Sequence, residues 1–508
     1  MEHADTAQLA AVAGALGSIL VLLARGRFVL LAGLVVLAAA EAALASALGT
    51  GSLDKLTSGA GAAAGAFGVL LICVAAAVLV RWPALVPLVV LIAAPFRPPL
   101  EYDSSNRFLV AVAQGGQLGR LLPLYFVLAA AVLALAWRAL RGDEIRPLPS
   151  VIAWPAAAFF AFAFVSLTWA QDVEAGANLL VFFTLPFVAL LATVARAPFP
   201  DWLPRGLAIA AVALASLFAA VGLWQAATHD LFFYAPNLAV SNANTDYFRV
   251  TSLFGDPSLY GRHVVLGICV VLALLVSTRA NRWVLVCLLA VLWAGLFFSY
   301  SQSSMVALVV TTVALAAVTG DRRVRKAVAL LGALAVLAGV GFVAAELVSG
   351  EDLNHITSDR TDRVEQTLRV VEHHPLAGVG IGGQPRASRE LARSRRPTPN
   401  FVSHTTPLTV AAELGVVGFA LYVWLLTGGT RLLLSVFRRD SALGLALGAV
   451  FLALFVHALF YSGFLEDPLT WVVLAVAAGW SATHPAPLRV RDPARRAAAE
   501  PSAAPVTP

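Results

Sequence analysis

The chain has 508 residues, 59% hydrophobic and 13% charged, about half the charged share of roughly 25% found in soluble proteins. That balance excludes a soluble globular domain, and a net charge of +6 carried as arginines beside apolar runs excludes a nucleic-acid footprint. Cys73, Cys269 and Cys287 each stand alone inside an apolar run, which excludes a paired-thiol metal or redox site; they read as buried small hydrophobes.

Apolar runs of membrane-crossing length recur along the chain. They fall near 7–24, 28–48, 60–80, 82–96, 121–137, 151–169, 177–195, 206–227, 258–278, 283–298, 303–319, 327–346, 408–428, 442–461 and 469–483. The fold class is therefore all-α, a polytopic transmembrane helical bundle of about fifteen spans, or fourteen if the short run at 82–96 does not cross. The acidic start, Met-Glu-His-Ala-Asp, lacks the basic region of a cleaved signal peptide, so the first run is expected to be retained.

Arginines alternate between the loops. Arg25, Arg27, Arg81, Arg138, Arg141, Arg146, Arg196, Arg205, Arg279, Arg282, Arg322, Arg323, Arg431, Arg438 and Arg439 fall in one set of gaps, and the short gaps of the other set hold few basic residues. By the bias of short cytoplasmic loops toward positive charge, the N-terminus and the 347–407 loop are expected outside and the C-terminus in the cytoplasm. The Pro- and Ala-rich tail, 484–508, is expected to be disordered. These features predict a multi-pass protein of the cytoplasmic membrane.

Three loops of the outer set end alike. Asp256-Pro257, Thr406-Pro407 and Asp467-Pro468 each place a capping side chain before a proline suited to the first helical turn. On this reading His404 sits at the membrane mouth and Glu413 about 9 Å down the following helix, at about 1.5 Å per residue. An ionisable residue at that depth points to function by default. Within the long loop, Val364, Leu368 and Val371 recur at helical spacing, predicting a short amphipathic helix at the membrane surface, with Thr357 or Ser358 as its cap and Pro375 ending it.

Other residues leave two readings open. Position alone allows His404 to be a hydrogen-bonded structural histidine or a reactive one. Arg262, just inside a helix, either faces a cavity or snorkels to headgroups. Arg386, Arg389, Arg393, Arg395 and Arg396 form either a solvated basic loop or a device for capturing anionic lipid or pyrophosphate. His373 and His374 read as a solvated helix end. The glycines of residues 378–383 follow a helix and a proline rather than a strand, so they do not form a dinucleotide fingerprint; a hinge is expected, with a phosphate-cradling nest as the alternative.

The run HPLAGVGIGG, then His404, then Glu413-Leu414-Gly415, resembles the O-antigen ligase / O-antigen polymerase-like superfamily of membrane glycosyltransferases over roughly residues 245–430. Arg360 holds the place of that family's arginine before the Pro-Leu segment, and His404 keeps its interval to the Glu-Leu-Gly triplet. Arg249 matches an arginine preceding a helix start. Thr405 stands where the family usually has Asn, Val364 where it has Trp, and Gln302 where Ser-x-Ser-Arg would place a positive charge. The resemblance divides the chain into N-terminal helices at 1–244, a ligase/polymerase-like core at 245–430, C-terminal helices at 431–483 and the tail.

It implies an enzyme with no metal and no cofactor. The donor would be a polyprenyl-pyrophosphate-linked glycan, and the acceptor a glycan, lipid or protein. Arg249, Arg360, Arg262, Arg386 and Arg389 would bind substrate, because guanidinium groups grip phosphate oxygens as a fork. His404 and Glu413 would be catalytic, and displacement would invert the anomeric centre. The rival readings are a lipid-linked oligosaccharide transporter or flippase, which would line a midplane path with charge, and an envelope-assembly scaffold.

Overall fold

The computed structural model describes residues 4–48, 59–97, 101–102, 108–109, 121–232, 236–245, 247–278, 280–327, 360–396 and 401–485. The expected span at 327–346, the caps Thr357 and Ser358 and almost all of the tail lie outside these residues. The described elements are helices, apart from a two-residue antiparallel pairing of Glu101–Tyr102 with Phe108–Leu109.

Among the described residues, ten helices are long and apolar enough to cross a membrane. A further pair, Gly65–Arg81 and Pro83–Ala93, is bent by 108° at Trp82 and makes eleven if taken as one span. Arg282–Phe297 and Pro468–Thr483 are apolar but shorter. The described residues thus do not confirm fifteen crossings: the expected span at 327–346 lies outside them, and hydropathy alone does not separate a full crossing from a short apolar helix. Pro468–Thr483 illustrates the difference: every residue from Pro468 to Trp480 is buried, so it is apolar all round because it is core. It packs against Leu185–Ala195, while Pro257–Ser277 packs against Leu203–Thr228, Arg282–Phe297, Gln302–Thr319 and Ser441–Phe460.

Loops grouped by their arginines also meet in space. Arg27 lies beside Gly142, and Arg196 donates to the Val21 carbonyl. Arg81, Arg138, Arg146 and Arg196 line one cavity, and Arg439 donates to the His484 carbonyl. The turns at 166–172, 249–257, 298–301, 374–384, 403–406 and 461–467 gather at the other end through the contacts described below. Cys269 is buried, but Cys73 and Cys287 face outward from the bundle, where an apolar side chain suits lipid as well as a protein core.

Candidate active site

Two sequence motifs prove to be one device. The long helix Thr406–Phe437 is broken at Gly415, whose φ of 63° and ψ of −166° are open only to glycine. A break leaves amides and carbonyls unpaired, and at membrane depth these need partners from protein. The Pro375–Gly380 segment supplies them. Val416 N–H donates to the Pro375 carbonyl (2.8 Å), Gly380 N–H to that of Glu413 (2.8 Å) and Val379 N–H to that of Ala412 (3.0 Å). A Cβ on Gly415 would lie 2.2 Å from the Leu376 carbonyl oxygen, and one on Gly378 2.3 Å from Glu413 backbone.

This arrangement replaces both readings of the glycine run. Its amides are engaged: Gly378 to His374, Gly383 to Gly380, and Ile381 to the Ser166 hydroxyl, while those of Gly382 and Gln384 face the Glu413 carboxylate. The segment is a packed plug, further tied by Gln171 N–H to Val379 O and Trp169 Nε1–H to Ala377 O. Gly415→Ala is expected to destabilise the detergent-solubilised protein by more than about 3 kcal/mol, because backbone strain and overlap act together. A melting temperature equal to wild type would show that the break is not under this constraint.

At the mouth, Arg363 donates to Nε2 of His404. A guanidinium cannot accept, so this nitrogen carries the lone pair and the proton sits on Nδ1. His404 is half-buried, with its ring 6.4 Å from that of Tyr461. Tyr461 in turn lies under the Arg262 guanidinium, 5.7 Å from ring centroid to Cζ. Arg262 is 3% exposed and does not snorkel. Its Nη1 pairs with Asp467 Oδ2 at 2.5 Å, and its Nε donates to His457 Nδ1 at 3.2 Å. His457 must therefore donate from Nε2 to the Ser303 hydroxyl (3.1 Å). Ser303 continues to Ser301 (3.2 Å), and the serine turn reaches Arg249, whose Nε faces the Ser299 carbonyl at 3.5 Å.

Two ionisable side chains of this wall have buried polar atoms without a hydrogen bond among the described residues. Nε and Nη1 of Arg97 are buried without a hydrogen bond, although part of the side chain remains exposed. Burial pushes its pKa down, with Asp467 opposing. Oε2 of Glu466 is likewise unpartnered, and burial raises its pKa. Asp467 behaves oppositely: burial works to raise it, but the positive charges led by Arg262 outweigh that and hold it below the usual range.

The sequence-predicted residues are thus distributed unequally. Arg249, Arg262 and His404 border one polar wall. Glu413, 9% exposed, is turned to the glycine plug. Arg386 is exposed and paired with Glu390 (2.9 Å), which places it on a solvated surface; Arg389, half-buried, lies on the same short helix, Gln384–Leu391. The side chain of Arg360 lies outside the described positions. Arg363, one turn further along Arg360–His373, is the arginine at His404.

Asp256 and Asp467 do cap their helices, accepting from Ser258 and Leu259 and from Leu469. Thr406 does not: the helix begins on it, and its hydroxyl accepts from Phe464 N–H. The amphipathic helix turns Thr367 and Val370 inward, leaving Val364 and Leu368 37% and 44% exposed.

Arg97, Arg363, His457, Tyr461 and Glu466 were not singled out from sequence. A histidine inside an apolar helix, as His457 is, was the available signal for one of them.

A family model described as O-antigen ligase matches residues 287–423, and this match supports the O-antigen ligase-like superfamily. Among curated proteins, a search returns no match.

Proposed function

We propose, from the O-antigen ligase match together with the arginine-bound histidine it encloses, that the chain transfers or polymerises glycan from a polyprenyl-pyrophosphate carrier on the extracytoplasmic face. The match supports a membrane glycan ligase or polymerase in general. The carrier, the face and the roles of residues are the proposal's own. The observation that carries it is the pairing of Arg363 with His404 Nε2, inside the matched segment and beside a wall rich in arginine.

In this reading the sugar–pyrophosphate C–O bond breaks while a bond forms between the anomeric carbon and an acceptor hydroxyl. Arg249 and Arg360 hold the leaving pyrophosphate, and Arg262 contributes positive field from within the wall. The acceptor proton passes to His404 Nε2. Arg363 donates to that nitrogen, so an arriving anion has a second effect. It draws the Arg363 guanidinium toward phosphate oxygens, where charge-assisted bonds are stronger, and uncovers the base. Glu413 acts at one remove, holding the glycine plug that supports the mouth. Direct displacement inverts the anomeric centre.

The test is carrier release from a polyprenyl-pyrophosphate glycan by purified protein. Acceptor-dependent release with a new glycosidic bond is expected; movement of intact donor between leaflets without release would favour a transporter. Orientation is tested separately by single-cysteine labelling. Position 390 is expected to react from outside and position 435 only from inside; labelling of both from one side would remove the crossing between them and with it the helix count and the assigned roles.

A further inference from the structure

At the end of the bundle remote from His404, a cavity of about 930 Å³ opens between helix ends. Arg81, Arg138, Arg146 and Arg196 line it, together with Trp82 and Trp202. It shares no residue with the wall around His404. Two of the arginines are fixed: Arg196 is 4% exposed and Arg138 9%. Arg196 donates to the carbonyls of Val21 (2.6 Å) and Ala192 (3.3 Å), and among the described residues no carboxylate pairs with it. Burial pushes its pKa down to about 9, as expected for a cation without a counter-ion.

Arg138 and Arg146 have carboxylate partners only at 3.6 and 3.7 Å, in Asp143 and Glu144. Those distances exceed the 2.7–2.9 Å or so of a charge-assisted hydrogen bond. Asp143 and Glu144 are 42% and 84% exposed at the side chain, so they solvate at the rim. Four guanidinium groups against two carboxylates leave two positive charges uncompensated.

We propose that this cavity binds the phosphate of an anionic phospholipid headgroup. Arg196 and Arg138 form its floor, and Arg81 and Arg146 close on the phosphate from the rim. The indole rings of Trp82 and Trp202 suit the boundary between headgroup and acyl chain, where an amphipathic ring has both environments. A basic pocket between membrane helices is the setting in which such headgroups are held. The ligand chemistry is a phosphate ester with net negative charge; its source could be a lipid or a soluble phosphate ester, and the acyl chains distinguish them.

The experiment is native mass spectrometry of the full chain in detergent, titrated with phosphatidylglycerol, phosphatidylcholine of the same acyl length, and glycerol phosphate. Wild type is expected to retain phosphatidylglycerol selectively. The double variant Arg81→Gln/Arg146→Gln is expected to retain it about 30-fold more weakly, from two lost charges at the surface. Arg322→Gln/Arg323→Gln, an exposed pair elsewhere, is expected to bind as wild type. Retention unchanged in the first variant, or lost equally in both, would overturn the site. Glycerol phosphate bound as tightly as the lipid would overturn the lipid assignment. Should the double variant fold poorly, the wild-type melting temperature decides: phosphatidylglycerol must raise it more than phosphatidylcholine, and equal shifts would refute the proposal.

Discussion

His404→Ala is expected to leave a folded protein whose turnover is lower by about 10²- to 10⁴-fold, the usual contribution of a positioned acid or base. The residue is half-buried, touches Arg363 through its lone pair and is not part of the buried Arg262 cluster. Removing it therefore releases a guanidinium to water rather than stranding a charge. Donor binding should survive, since the proposed pyrophosphate ligands are arginines. His404→Gln separates two roles, because Gln can hydrogen-bond an acceptor hydroxyl but cannot take its proton. Substantial activity in His404→Gln would mean orientation; activity as low as in His404→Ala would mean proton transfer. A structural histidine predicts a melting temperature that falls in step with activity. Wild-type turnover at unchanged stability would sink the assignment and move the search to Arg363 and Glu413.

What was legible in the sequence follows from the range of each signal. Apolar runs and aspartate–proline pairs are local, so the helical bundle and the caps at Asp256 and Asp467 could be read directly. The threonine–proline pair looked the same but differs, because Thr406 is used by the distant Phe464 amide. Periodicity identified the amphipathic helix but not which face its neighbours would take. Thr367 and Val370 face in, and Arg363, which the spacing does not single out, donates to His404. The glycine run and the Glu-Leu-Gly triplet were each visible, yet their union was not: Gly415 breaks a helix only because Pro375 and Leu376 fill the gap. The wall of Arg97, Arg262 and Asp467 draws on three segments more than a hundred residues apart, and no spacing rule brings them together.

Arg262→Gln is expected to destabilise the protein by about 3–5 kcal/mol, the cost of leaving one member of a buried ion pair uncompensated. Asp467 is 1% exposed and serves twice, as Arg262's partner and as the cap of the core helix Pro468–Thr483. The loss would also free His457, whose tautomer Arg262 sets. The sign of any pH effect is fixed: Asp467 is held below its unfolded value of about 3.9, so the pair's contribution is present above that value and is lost only as pH falls through the folded pKa. In Arg262→Gln the burial that works to raise Asp467 is no longer outweighed by Arg262, so the destabilisation should ease as pH falls and the stranded carboxylate takes up a proton. Combining Arg262→Gln with Asp467→Asn removes the stranded charge while Asn still caps the helix, and most of the stability should return. Activity then discriminates. If Arg262 only braces the fold, turnover returns with stability. If its charge also helps hold the donor's pyrophosphate, the double variant melts near wild type but turns over slowly at low donor concentration. A single Arg262→Gln variant as stable as wild type would show that the buried pair does not brace these helices.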